Sequence, residues 1–259
     1  MPHDLDDEDA DEPMNQRSLL RGFLRWLWGW TRWLALRFLG LMLAGVLLFK
    51  LINPPTSWTI LTETRTHPGT ERIWTPYEQI APAMIRSVVA AEDANFCTHW
   101  GFDMTEIRKV IASGSSRGAS TLTQQTAKNV FLWQGRSWPR KVLESTYTPM
   151  IEALWSKRRI VEVYLNLAEF GPGVFGIGAA ARHHFKTTPD KLTARQAAAL
   201  ASILPAPKTR KPDTGSRRTR AIMDGAATIA QDGRDACLKL PRQGGRKNAT
   251  KPAPVDGQG

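Results

Sequence analysis

At 259 residues and 28.9 kDa the chain can bury one good core and still leave material for tails, so a single globular domain is expected. Its 35 Lys and Arg against 24 Asp and Glu give +11, yet seven of the acids (Asp4, Asp6, Asp7, Glu8, Asp9, Asp11 and Glu12) crowd the first twelve residues; beyond them 35 basic residues face 17 acidic ones, a balance of +18. So basic a body points to an anionic partner, whether nucleic acid, an anionic membrane or a phosphate-bearing substrate, while the two distant cysteines, Cys97 and Cys237, indicate neither a disulfide framework nor a zinc site.

Along the chain, the first feature after the acidic tail is the apolar run from Trp33 to Ile52, about 20 residues, which at helical rise matches a hydrocarbon core of roughly 30 Å. Its only charges, Arg37 and Lys50, sit near the ends, where long side chains snorkel. Arg17, Arg21, Arg25 and Arg32 precede it and the next basic residue after Lys50 is Arg65, so the positive-inside rule keeps the N-terminus in the cytoplasm. Trp26, Trp28, Trp30 and Trp33 suit an inner interfacial belt. Asn53-Pro-Pro stands where a signal peptide would carry small residues, so the anchor is expected to be retained. The predicted organisation is a cytoplasmic tail over 1–32, a transmembrane helix over 33–53, an exported domain over 54–211 and a basic, partly disordered extension over 212–259.

In the exported part, Trp58 to Thr62 and Arg72 to Trp74 read as strands. Val88–Glu92, Thr121–Leu132, Lys141–Trp155, Arg159–Phe170, Val174–Phe185 and Thr193–Leu204 read as helices. Thr193-Ala-Arg-Gln196 is a capping-box pattern, with Pro205 and Pro207 as the stop. Pro149 should break or kink the helix around it near Tyr147 to Thr148. A helix over Arg217 to Ala230 is expected, then disorder from Gln243 to Gly259; Cys237 falls in a stretch that reads as loosely ordered, which weighs against a bond to Cys97.

Chemistry concentrates in three short blocks. Glu92 ends the apolar run Ile85 to Ala91 and precedes Phe96; partial desolvation there raises a carboxylate's pKa, as suits a group that must accept a proton from a sugar hydroxyl. Asp93 can orient it or hold a metal, and His99 reads best as a satisfied buried donor. The polar run from Arg117 to Asn129 carries Ser120, Thr121, Gln125, Lys128 and Asn129, material for gripping phosphate and sugar, though no Gly-Lys-Ser/Thr makes it a P-loop. Arg140, Lys141 and Glu144 share a helical face, either as a surface ion pair or as a carboxylate beside cations for a leaving diphosphate. Ser-x-x-Lys, Ser-Asp-Asn, Lys-Thr-Gly, Gly-x-Ser-x-Gly and His-Glu-x-x-His are all missing, which removes penicillin-type acyl-serine, esterase and zinc-protease chemistry.

These blocks resemble the peptidoglycan glycosyltransferase family: Glu92 to Gly101 matches Glu-Asp-x-x-Phe-x-x-His-x-Gly, Gly118 to Asn129 matches Gly-Gly-Ser-Thr-x-Thr-Gln-Gln-x-x-Lys-Asn, and Arg140 to Glu144 matches Arg-Lys-x-x-Glu. Arg159 to Asn166 with Gly171 to Gly178, and Leu192 to Pro207, resemble its later blocks, so the likeness covers roughly 68 to 211. Size, anchor and the missing acyl-serine motifs are similar to the monofunctional members. The resemblance implies a mainly α, lysozyme-like domain behind one transmembrane helix, and polymerisation of lipid II into β-1,4-linked glycan on the periplasmic side of the inner membrane, with lipid II and the growing glycan as partners, cell-wall or division proteins as further candidates, and no nucleic acid. By the same analogy Glu92 is the general base, Glu144, Lys128, Arg140 and Lys141 surround the diphosphate, and Asp93, Ser120, Thr121, Gln125 and Asn129 hold or shape the donor. No cofactor is required; magnesium or manganese at the diphosphate is compatible. Ala119 departs from the pattern where the family often has glycine, and Ser113-Gly-Ser-Ser116 fits a mobile segment over the cleft.

Overall fold

The computed structural model describes residues 16–114, 118–135 and 137–241. The acidic tail, Ser115 to Arg117 of the polar loop and the stretch expected to be disordered from Gln243 lie outside the described residues. The chain divides between Gly45 and Val46 into two units.

Helix α1 (Gln16–Leu51), whose residues up to Gly45 belong to the first unit, starts well before the predicted span, so the tryptophans stand on the helix itself. The stretch Leu20–Leu51 is long and apolar enough to cross a membrane. Trp26, Trp30 and Trp33 form an edge-on ladder with centroids 6.1 and 5.6 Å apart, and the Arg37 guanidinium lies 4.5 Å over the Trp33 ring.

The second unit is mainly helical, as expected. Its core gathers α3 (Pro82–Glu92), α5 (Leu122–Phe131), α7 (Lys157–Leu167), α8 (Gly176–Phe185) and α9 (Ala194–Ile203), whose apolar faces supply Met84, Ile85, Val88, Leu122, Ile160, Leu165, Ile177 and Leu200. The Thr193 capping box opens α9 as predicted. A small sheet closes one end: β3 (Val174–Phe175) lies between β1 (Glu71–Arg72), to which it is parallel, and β2 (Glu169–Gly171), to which it is antiparallel. Two glycines bring α8 onto this end. A Cβ on Gly178 would meet the Ile73 carbonyl at 2.6 Å, and one on Gly176 (φ +79°) the Asn166 carbonyl at 2.8 Å.

Several expectations are corrected. Trp58 to Thr62 is no strand but the start of helix α2 (Trp58–Thr66): Ser57 caps it by accepting from the Ile60 N–H, and Thr62 and Thr64 turn their hydroxyls onto carbonyls three or four residues back, so β-branched residues that look strand-like sit comfortably in a helix. Helix α6 (Trp138–Leu154) runs through Pro149 without breaking. The proline forfeits one backbone bond, while the Thr148 hydroxyl donates to the Glu144 carbonyl at 2.7 Å and parallel stacking of Tyr147 on Phe131 (4.3 Å, 4°) ties α6 to α5. Helix α4 (Met104–Ser113), capped by Asp103 and ended by Gly114 in the left-handed conformation, precedes the rest of the Ser113–Ser116 stretch, of which Ser115 and Ser116 lie outside the described residues.

Cys97 and Cys237 are joined in a disulfide. The stretch around Cys237 is ordered by partners far away in sequence: Arg86 pairs with Asp235 (2.7 Å) and donates to the Pro241 carbonyl, and the Tyr77 hydroxyl donates to the Leu238 carbonyl at 2.8 Å. Helix α10 (Arg217–Asp232), which the sequence reading placed in a C-terminal extension, packs on α3 and α9 and adds Ile222 and Ile229 to the core.

Candidate active site

Glu92 is the last residue of α3, where the helix runs out of apolar positions and turns the carboxylate into a cavity of about 270 Å³ shared with Asn95, Glu106 and Ser120. Oε2 accepts from Gln125 Nε2 at 3.0 Å; Oε1 is buried with no protein partner among the described residues. Burial pushes this carboxyl above its ordinary range; the Gln125 hydrogen bond and the charges of Arg218 and Lys128 oppose the shift, and Asp93 adds to it.

Asp93 turns inward instead. Oδ1 meets His99 Nε2 at 2.8 Å and Oδ2 accepts from the Leu122 N–H at 2.9 Å, which fixes the first turn of α5 beside the end of α3. Gly101 (φ +83°) lets the chain pass under α6, where a Cβ would come within 2.6 Å of Thr148, and its carbonyl receives the Thr121 hydroxyl at 2.7 Å. Thr121 also caps α5 in a reciprocal box with Gln124, so its side chain is spent on the fold. Ligand atoms of Asp93, His99 and Asp103 lie within 4.8 Å of one another. Asp103 caps α4 through the N–H groups of Thr105 and Glu106 and accepts from Asn95, and Asp93 is likewise engaged, while His99 Nδ1 is buried without a partner among the described residues.

Helix α5 buries Leu122, Thr123, Thr126, Ala127 and Val130 and leaves Gln125, Lys128 and Asn129, spaced three and four apart, on its half-buried face. These three line a second cavity of about 540 Å³ together with Tyr164, Glu63, Glu169 and Lys208. Lys128 makes no ion pair among the described residues. Burial lowers its pKa against the raising pull of Glu144 and Glu92, while Arg140 and Lys141 lower it further, so one ammonium lies within electrostatic reach of both carboxylates.

On α6, Glu144 is buried and takes Arg140 on one oxygen and Lys141 on the other; Arg140 also donates to the Gly135 carbonyl at 2.8 Å. The pair of cations exceeds the single carboxylate by one charge, and the buried ion pair replaces the solvated surface pair that spacing alone allowed. The residues the sequence reading set around one site fall between two cavities: the smaller holds Glu92 with Asp93, Asp103 and Glu106 and no lining cation, the larger holds Lys128, and Arg140, Lys141 and Glu144 line neither; Gln125 lines the larger and bonds the carboxylate that faces the smaller. Ser120 is exposed at the mouth of the smaller.

Sequence reasoning missed Tyr164, whose hydroxyl donates to Gln125 Oε1 at 3.1 Å. It also missed Glu63 and Glu169, which meet Lys208 at 2.7 and 3.7 Å on the wall of the larger cavity. Burial carries the Glu169 carboxyl up to about 7, with Lys208 opposing and Glu63 reinforcing. Tyr164 reads as one more apolar position of α7, and the two acids are brought to Lys208 only by the fold.

This helical domain, with a desolvated carboxylate at a helix end, held by Gln125 and within electrostatic reach of Lys128, has the makings of a glycosyl-transferring site. The family model for transglycosylases matches residues 59–231, and the chain belongs to that family. It is 54% identical over 216 residues to the biosynthetic peptidoglycan transglycosylase of Jannaschia sp. (strain CCS1), covering 80% of this chain and 90% of that protein. Proteins of the same description from Yersinia pseudotuberculosis (45% over 202 residues, 73% and 83% covered) and Caulobacter vibrioides (42% over 202 residues, 75% and 88% covered) are also similar.

Proposed function

We propose that this chain is a membrane-anchored peptidoglycan glycosyltransferase that polymerises lipid II, with Glu92 as the general base. The supporting observation is the Glu92 carboxylate itself: half-buried, raised in pKa, held through Oε2 by Gln125 and leaving Oε1 without a protein partner. In this reading Oε1 takes the proton of the acceptor's GlcNAc 4-hydroxyl as that oxygen attacks C1 of the donor MurNAc. The C1 bond to the diphosphate breaks, the β-1,4 link forms with inversion, and undecaprenyl diphosphate leaves. Lys128, with Arg140 and Lys141 held behind it by Glu144, supplies positive charge to the leaving group, worth most in a half-buried site. Asn129 and Ser120 shape the donor and acceptor walls, and Thr121 and Asp93 act by fixing α5. A divalent cation, magnesium or manganese, would add positive charge at the diphosphate beside that of Lys128, and no step of the transfer is routed through it.

The apolar helix α1 fits a membrane anchor. The arginines in its N-terminal half, Arg17, Arg21, Arg25 and Arg32, support a cytoplasmic N-terminus, and the Cys97–Cys237 disulfide supports a catalytic domain in an oxidising, periplasmic compartment. Trp58, Met104, Trp133 and Trp138 are exposed, as suits a domain working at the surface that holds its lipid substrate and any cell-wall partner proteins. Incubation of the full-length protein with purified lipid II and, separately, with mature sacculi tests the reading: glycan polymer from the first is expected, whereas muropeptide release from the second with no polymer would make the site hydrolytic.

A further inference from the structure

Three side chains from three helices form an ordered row: the Tyr164 hydroxyl of α7 donates to Gln125 Oε1 at 3.1 Å, and Gln125 Nε2 of α5 donates to Glu92 Oε2 at 3.0 Å at the end of α3. The direction of both bonds follows from chemistry. An ionised carboxylate only accepts, so the amide must turn its nitrogen to Glu92 and its oxygen to the phenol. Tyr164 is fully buried, which drives its pKa well above the ordinary tyrosine value and keeps it a donor across the working range of pH. We infer that Tyr164 is a positioning residue for the proton-accepting step: through Gln125 it holds Glu92 Oε2 so that only Oε1 faces the incoming hydroxyl. This rests on the assignment of Glu92 as base.

The other groups acting on Glu92 cannot do this work. Asp93 is committed to His99 and Leu122, and Lys128 and Arg218 act as charges without bonding to it. Without the phenol the amide is free to rotate by half a turn and offer its oxygen to Glu92, an arrangement that favours the protonated, unreactive carboxyl.

The test is the pH dependence of kcat/KM for lipid II polymerisation by the full-length wild type, Tyr164→Phe, Gln125→Met and the double variant. Both single variants are expected to move the acid limb upward by about one pH unit, with a plateau about tenfold lower, and the double variant is expected to move no further than Gln125→Met alone. An acid limb that stays in place, including a uniform loss at every pH, would overturn the inference, as would additive shifts. Gln125 lies on a half-buried face, so if Tyr164→Phe gives little folded protein, an unshifted limb in Gln125→Met is decisive by itself. Polymerisation by Glu92→Gln would instead strike the base assignment, whatever the other variants do.

Discussion

Asp93 Oδ2 accepts the Leu122 N–H at 2.9 Å, so the residue next to Glu92 also fastens the first turn of the helix that carries Gln125 and Lys128. Asp93→Ala leaves that N–H and His99 Nε2 without their acceptor. Each unpaired buried group costs about 1–3 kcal/mol, so a clear drop in unfolding midpoint is expected together with lost polymerisation. A variant of unchanged stability would show that the contact does not hold α5.

Lys128 should be needed as a cation. Lys128→Met is expected to lower kcat/KM by about 10²–10³, the size seen when one group that stabilises developing charge is removed. Because burial lowers the Lys128 pKa, the wild-type activity should decline on its alkaline side below the ordinary lysine value of about 10.4, and steady-state rates across pH in detergent check both points.

Two raised carboxyls work against stability at neutral pH. Where the folded pKa of an acid exceeds its unfolded value, the native state binds more protons than the unfolded one, so stability is greatest below the unfolded pKa and falls as pH rises toward the folded one. For Glu169 the window runs from about 4.5 to about 7. Glu169→Gln and Glu92→Gln should therefore unfold at higher temperature than the wild type at pH 8 and show little difference at pH 4, as read by thermal unfolding at the two pH values.

The disulfide spans 140 residues of sequence and staples the stretch after α10 to the loop that follows Glu92. Loop-closure entropy for so long a loop gives about 5 kcal/mol. A Cys97→Ser, Cys237→Ser double variant should unfold at correspondingly lower temperature, and dithiothreitol should lower the midpoint of the wild type alone.

Much of this was legible in the chain because the signals are local. The Thr193 capping box, the helix from Thr121 to Leu132 and the apolar run ending at Glu92 are each contained in about a dozen residues. What escaped depends on distant partners. Tyr164 joins the site only when α7 packs behind α5, and Cys237 is ordered by Arg86 and Tyr77. The first strand expected proved helical because a cap at Ser57 and back-bonding threonines outweigh β-branching, and Pro149 stays inside a helix that packing secures.

The most direct measurement is polymer formation from lipid II by Glu92→Gln beside the wild type, both shown to be folded by their unfolding transitions. Long glycan from the wild type and none from the variant, a loss of at least about 10³-fold, is expected. Glycan made by the variant at a rate near that of the wild type would contradict the role of Glu92 as the proton acceptor.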